Sequence, residues 1–137
     1  MLFRSVFKKH YSEKALVINF YHERPHNNTA YEFFYKTGPL AVLPMQKNNN
    51  NFQSALIWSN RPKTVDLIAS TTLQKKYIEE TINEKIQQYL GKVTYINSVQ
   101  TFPLSAHINE KFYHDRTVYV GDAAHSIHPI EIGRAHV

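Results

Sequence analysis

Thr117-Val118-Tyr119-Val120-Gly121-Asp122-Ala123-Ala124-His125-Ser126-Ile127-His128-Pro129 is the stretch from which the rest of the chain can be read. Residues 117–120 are β-branched or aromatic, as in a buried strand, and the run stops at Gly121-Asp122. A strand ending this way puts a side-chain-free backbone and a carboxylate at its carboxyl end, where open α/β sheets bind ligands. Gly121 lets a ligand approach the backbone closely because it has no β-carbon. Asp122 is an acceptor for the hydroxyls of a sugar or sugar alcohol. Ala123 and Ala124 would keep the start of a following helix narrow, its free amides facing an anionic pyrophosphate. Gly-Asp alone is common in ordinary turns. The specific signal is the whole strand with its Gly-Asp-Ala-Ala-His-x-x-His-Pro continuation.

Upstream, residues 15–21 are rich in β-branched and aromatic side chains and predict a strand, while residues 22–29, with Pro25 and two asparagines, predict a polar loop. Residues 30–36, 40–45 and 54–59 predict three more strands. Thr37-Gly38-Pro39 reads as a turn, and the asparagine-rich residues 46–51 as a mobile hairpin connection. Pro62 suits the first turn of a short helix through Ser70. Thr71 and Gln74 form a candidate capping box for a longer helix over residues 73–90. On that helix Ile78, Ile82, Ile86 and Tyr89 share one face, and Gly91 marks its C-terminal stop. Residues 93–99 and 102–107 predict strands, the second interrupted by Pro103, and residues 109–116 a polar turn. The predicted fold class is α+β: a mainly antiparallel sheet with one long helix, ending in the strand and turn of a truncated Rossmann-like domain.

Composition sets the outer bounds. A chain of 137 residues has room for one domain and one core, and 42% apolar with 13% aromatic residues is the make-up of a folded chain. Four glycines are few for a complete nucleotide-binding enzyme, whose phosphate loops need several. The net charge of +5 is dispersed. Its densest pairs, Lys8-Lys9 and Lys75-Lys76, lack interleaved aromatics, so no nucleic-acid partner is expected. The absence of cysteine excludes disulfides, thiolate metal sites and cysteine nucleophiles. The apolar runs at residues 40–43 and 55–58 are too short to cross a bilayer, and residues 1–9 lack a signal-peptide pattern; the expected location is cytoplasmic. Residues 1–5 and 131–137 can be back-translated into complementary strands of a sequencing-library adapter, and the arginines they carry contrast with a lysine-rich interior. Both ends are therefore expected to be adapter-derived.

Residues 117–129 resemble the second flavin-binding motif of the group A flavoprotein monooxygenases, and within them are most similar to the ubiquinone-biosynthesis hydroxylases. The resemblance continues upstream through YSEKALV at residues 11–17, GPLAVLP at 38–44, SALIWS at 54–59 and Phe102-Pro103-Leu104, in the family's order. It implies FAD as cofactor, held in part by Gly121, Asp122, Ala123, Ala124, His125 and Pro129. Asp122 would hydrogen-bond the ribityl chain, Gly121 would allow the close approach, and Pro129 would lie near the isoalloxazine ring. It also implies NAD(P)H as electron donor and a polyprenylated phenol, a ubiquinone precursor, as the substrate whose ring is hydroxylated. Residues 6–108 would be a substrate-domain portion whose sheet covers the flavin, with residues 38–44 near the substrate cavity. Residues 109–130 would belong to the FAD-binding domain. The same resemblance implies a ubiquinone-biosynthesis complex as partner and at most peripheral contact with the inner membrane, through the lipid tail of the substrate. The chain departs from the family in lacking a GxGxxG phosphate loop, an Asp-Gly motif before Tyr11 and a GQGxN stretch after Ile130. It therefore reads as an internal fragment, inactive alone and binding FAD negligibly. No catalytic acid or base is assigned.

Other candidates have plainer readings. His22 and His26 have ligand-like spacing, but Pro25 and the asparagines between and after them favour surface histidines in a loop; no metal site is expected. His125 and His128 are spaced similarly, and flavin contact or packing explains His125 better. Ser105 lacks a nucleophile elbow and reads as a strand residue, and Trp58 as core or domain-interface packing. Two alternative functions remain: another Gly-Asp flavoprotein, of halogenase or geranylgeranyl reductase type, and a small basic non-enzymatic binding module.

Overall fold

A computed structural model of the chain describes residues 6–70 and 74–127. The chain divides into two compact units, Glu13–Phe102 and, together, Met1–Ser12 with Pro103–Val137. Two long strands, β1 (Val6–His22) and β5 (Val93–Asn109), contribute residues to both.

Within the larger unit, β2 (Tyr31–Tyr35), β3 (Gly38–Asn48) and β4 (Asn51–Asn60) join them in the order β2-β3-β4-β1-β5. The β2–β3, β3–β4 and β1–β4 pairs are antiparallel. Strand side chains alternate between faces, so the register defines two layers. Leu16 lies opposite Trp58 and Trp58 opposite Leu40, while Ile18 lies opposite Leu56 and Leu56 opposite Val42. These residues pack with Val65 and Ile68 of α1 (Pro62–Ser70) and with Ile78, Ile82, Ile86 and Leu90 of α2 (Gln74–Leu90) in one buried cluster. Burying each such side chain stabilises the fold by about 1.5–3 kcal/mol. The sequence-predicted stripe of isoleucines is thus the seam between helix and sheet. Tyr89, assigned to the same face, is 38% exposed and instead meets the Tyr31 and Phe33 rings of β2, with centroids 4.8 and 5.6 Å away.

Several boundaries differ from expectation. The asparagine-rich connection shrinks to a tight turn, because β3 runs to Asn48 and β4 resumes at Asn51. Asn49 and Asn50 both take left-handed conformations, φ +46° and +66°. Asparagine tolerates that region, and such a turn matches the twist of a hairpin. β5 runs unbroken through Pro103, merging two predicted strands. Among the described residues β8 (His125–Ser126) pairs with β5 only at His107 and Ile108, so a proline can sit beside an open strand edge without removing a ladder bond. α1 begins at Pro62 as predicted, and Gly91 ends α2, its amide donating to the Gln87 carbonyl at 2.9 Å. The capping box at Thr71 involves residues outside those described. No helix among the described residues is long and apolar enough to cross a membrane.

In the smaller unit, β6 (Tyr113–His114) and β7 (Thr117–Val118) form a two-stranded hairpin. A one-turn 3-10 helix (Gly121–Ala123) follows, and then β8. This corrects two expectations. The run 117–120 is not buried here: Val118 is 68% and Val120 74% exposed. β-branched residues supply strand propensity, but burial needs a covering layer, and across the hairpin Val118 pairs with the exposed Tyr113. The expected helix start after Gly-Asp-Ala-Ala is replaced by the 3-10 turn, because residues 125–126 are drawn into pairing with β5.

Candidate functional site

The site is built by the end of β5 and the turn that folds back onto it. Val120 is extended, with φ −132° and ψ 157°. Gly121 then takes φ +57°, redirecting the chain into the 3-10 turn, which the Ala124 amide closes by donating to the Gly121 carbonyl at 2.9 Å. Two side chains of β5, two residues apart and so on one face of the strand, grip that turn. His107 Nε2 donates to the Asp122 carbonyl at 3.0 Å, and Asn109 Nδ2 donates to the Ala123 carbonyl at 2.7 Å. The Asn109 amide adds a bond to the Ala124 carbonyl at 3.0 Å. Four successive carbonyls, 121 to 124, therefore each accept a hydrogen bond. Because a carbonyl can only accept, Nε2 of His107 carries a proton in this arrangement.

Val6, Lys8, His107, Asn109, Asp122 and Ala123 line an open cleft of about 580 Å³. Among the described residues nothing lies within 4 Å of a β-carbon built on Gly121, so on their side the space beside the turn is clear. Of the sequence-predicted residues, the structure brings Asp122 and Ala123 together in the cleft with Gly121 adjoining. Ala124 is buried behind them. His125 turns away in β8, its ring 6.2 Å from that of Phe112, and its Nδ1 is buried without a partner among the described residues. Pro129 lies outside the described residues. His107 and Asn109 were missed by sequence reasoning. The available signal was two polar residues at strand spacing just before a polar turn, and it became informative only once the turn was seen to fold back on them.

The other histidines correct an expectation. His22 is no surface residue: it is 4% exposed. It is the last core-facing position of β1, in step with Leu16, Ile18 and Phe20, and its ring stacks on Phe52. Its Nδ1 donates to the Arg24 carbonyl at 2.8 Å, leaving Nε2 to accept from the Ser54 hydroxyl at 3.0 Å. Burial pushes its pKa below the usual 6.5, against the backbone bond to Arg24 and with the help of nearby His26. His26 bonds the Met45 carbonyl through Nε2 at 2.9 Å and lines a second open hollow with Pro44, Met45 and Phe52. Among the described residues no group of three or more histidines or carboxylates is placed to hold a metal ion. Ser105 is a strand residue of β5. Trp58 packs partly buried against the core, with Lys85 Nζ 5.1 Å from its ring centre.

The chain resembles known proteins in both fold and sequence. The fold is similar to that of CmlS, a flavin-dependent halogenase, with a TM-score of 0.64 at 14% identity over 90% of this chain and 23% of that one. In sequence the chain is 30% identical over 120 residues to the ubiquinone hydroxylase UbiL of Rhodospirillum rubrum, covering 88% of this chain and 27% of that protein. It is 25% identical over 120 residues to the 3-demethoxyubiquinol 3-hydroxylase of Escherichia coli, covering 88% of this chain and 29% of that protein. The chain thus spans less than a third of the length of these relatives. A family model described as an FAD binding domain matches residues 1–132, and the chain belongs to that family of flavoproteins.

Proposed function

We propose that this chain is a segment of an FAD-dependent monooxygenase that hydroxylates the aromatic ring of a polyprenylated ubiquinone precursor. The observation that carries the reading is the Gly121–Ala123 turn, which sets an exposed carboxylate, Asp122, beside space that a β-carbon on Gly121 would begin to fill. The residues fit a flavin. An extended chain of hydroxyls needs acceptors and close backbone approach, and Asp122 and Gly121 offer them. The exposure of Val118 and Val120 supports residues 117–120 as part of an FAD-binding sheet to which other regions of a longer protein contribute.

The larger unit supports the substrate role. The sheet face turned away from the helices carries Val17, Ala41, Leu43, Ala55 and Ile57 by register. It is only partly buried, with Leu43 39% exposed. An apolar sheet surface of this kind can orient a phenol ring and its prenyl tail and keep water away. Bound FAD supplies the oxygen-activating chemistry, with NAD(P)H as electron source. The protein's residues bind, orient and desolvate, and no catalytic acid or base is assigned among them. The lipid-tailed substrate would bring the enzyme to the surface of the inner membrane and into contact with other ubiquinone-forming enzymes. One exposed turn is a small part of a flavin site, so these 137 residues alone are expected to bind FAD negligibly.

The test is turnover by the longer protein that carries this chain, supplied with FAD, NADPH, oxygen and a polyprenylated phenol. A product heavier by one oxygen supports the reading. Reoxidation of the flavin without ring hydroxylation overturns it, and halide-dependent ring halogenation would establish the halogenase alternative that the fold also accommodates.

A further inference from the structure

We propose that His107 and Asn109 are positioning residues that set Asp122 for its flavin contact; this rests on the function proposed above. Neither side chain needs to touch the cofactor. His107 Nε2 holds the Asp122 carbonyl at 3.0 Å and Asn109 Nδ2 the Ala123 carbonyl at 2.7 Å, so the Asp122–Ala123 and Ala123–Ala124 peptides are each tied to β5. The preceding carbonyl, that of Gly121, accepts the Ala124 amide, so with the Asp122 carbonyl held the peptide planes on both sides of the Asp122 Cα are fixed, and with them the direction in which its Cα–Cβ bond leaves the turn. The turn is also joined to β5 by the Asn109 amide, which donates to the Ala124 carbonyl. It is a single 3-10 turn in which residues 121, 122 and 123 are exposed, and 3-10 geometry alone is weakly bonded. The two donors project from the end of β5, so the position of the carboxylate is referred to that strand.

The test uses the longer flavoprotein carrying this chain, titrated with FAD and with lumiflavin, which has the same ring system without the ribityl chain. His107→Phe and Asn109→Ala are each expected to weaken FAD about tenfold, the effect of losing one hydrogen bond's worth of positioning, and to change lumiflavin binding less than about twofold. His107→Gln, whose side-chain amide can donate to the same carbonyl, is expected to recover most of the loss. Equal weakening of both flavins would mean general loss of structure and would overturn the inference, as would unchanged FAD affinity in both variants. Asp122→Ala, which removes the acceptor, separates the two levels. If it weakens FAD while the His107 and Asn109 variants do not, the positioning role fails and the flavin site stands. If Asp122→Ala has no effect, the flavin site itself fails, and the inference with it.

Discussion

Gly38 and Gly121 both lie in the left-handed half of backbone space, yet substitution by alanine should separate them cleanly. Gly38, at φ +131°, opens β3, and a β-carbon there would overlap the carbonyl of Ser59. Ser59 is 2% exposed and registered against Ala15 of β1, so it cannot step aside without disturbing two strand pairs. Backbone strain costs about 1–3 kcal/mol. The forced displacement of a central strand adds about as much, for a total of about 2–6 kcal/mol. At about 2 kcal/mol per molar urea, the denaturation midpoint of Gly38→Ala should fall by about 2 M. Gly121, at φ +57°, has nothing among the described residues within 4 Å of its would-be β-carbon. Only the left-handed penalty of about 1–2 kcal/mol remains, a midpoint shift of about 0.5–1 M. The same methyl group would nonetheless occupy the space assigned to the flavin's sugar-alcohol chain. FAD affinity of the longer protein should therefore drop about tenfold or more in Gly121→Ala. Urea titration followed by circular dichroism, together with flavin-fluorescence titration, reads both effects. A Gly121→Ala protein as unstable as Gly38→Ala, or one of normal FAD affinity, would refute the reasoning.

Three further outcomes follow from individual contacts. The pKa of His22 is lower folded than its usual 6.5, so on acidification the unfolded chain takes up the proton first; stability is full above 6.5 and declines as pH falls below it. Urea midpoints at about pH 7.5 and about pH 5.5 should show this decline, and His22→Gln should make it shallower; an unchanged slope would remove His22 as the cause. Asn83 Oδ1 accepts the Val93 amide at 2.8 Å where β5 begins, so Asn83→Ala should leave a buried N–H unbonded and cost about 1–3 kcal/mol, with faster hydrogen exchange at Val93. Asn50→Gly should stabilise the β3–β4 hairpin by about 0.5 kcal/mol, because glycine suits the positive φ of +66° at that turn position; a lowered thermal midpoint would contradict the turn geometry.

Much of the fold is legible in the sequence because the helices and central strands carry their burial in their side chains. Ile78, Ile82 and Ile86 recur at helical spacing, and Leu16, Ile18 and Phe20 alternate at strand spacing. What escapes is what backbone pairing decides without apolar side chains. The first half of β1, with Lys8, Lys9 and His10 exposed, has no apolar alternation to announce a strand. The passage of β5 through Pro103 depends on which edge lacks a partner. His22 misleads because its loop-like neighbours suggest exposure, while its position in step with Phe20 places it in the core. At the site, the sequence shows the turn and its carboxylate but not the two β5 side chains that hold it. That contact exists only because β8 folds back onto β5 at His107 and Ile108, a long-range pairing that no local pattern encodes.

Hydrogen–deuterium exchange across residues 119–127 of the longer flavoprotein, with and without saturating FAD, tests the flavin site most directly. The expected result is marked protection of the amides from Gly121 to Ser126 when FAD is bound. Protection confined to other segments, with this turn exchanging equally fast in both states, would contradict the assignment of Asp122 and its turn to the cofactor.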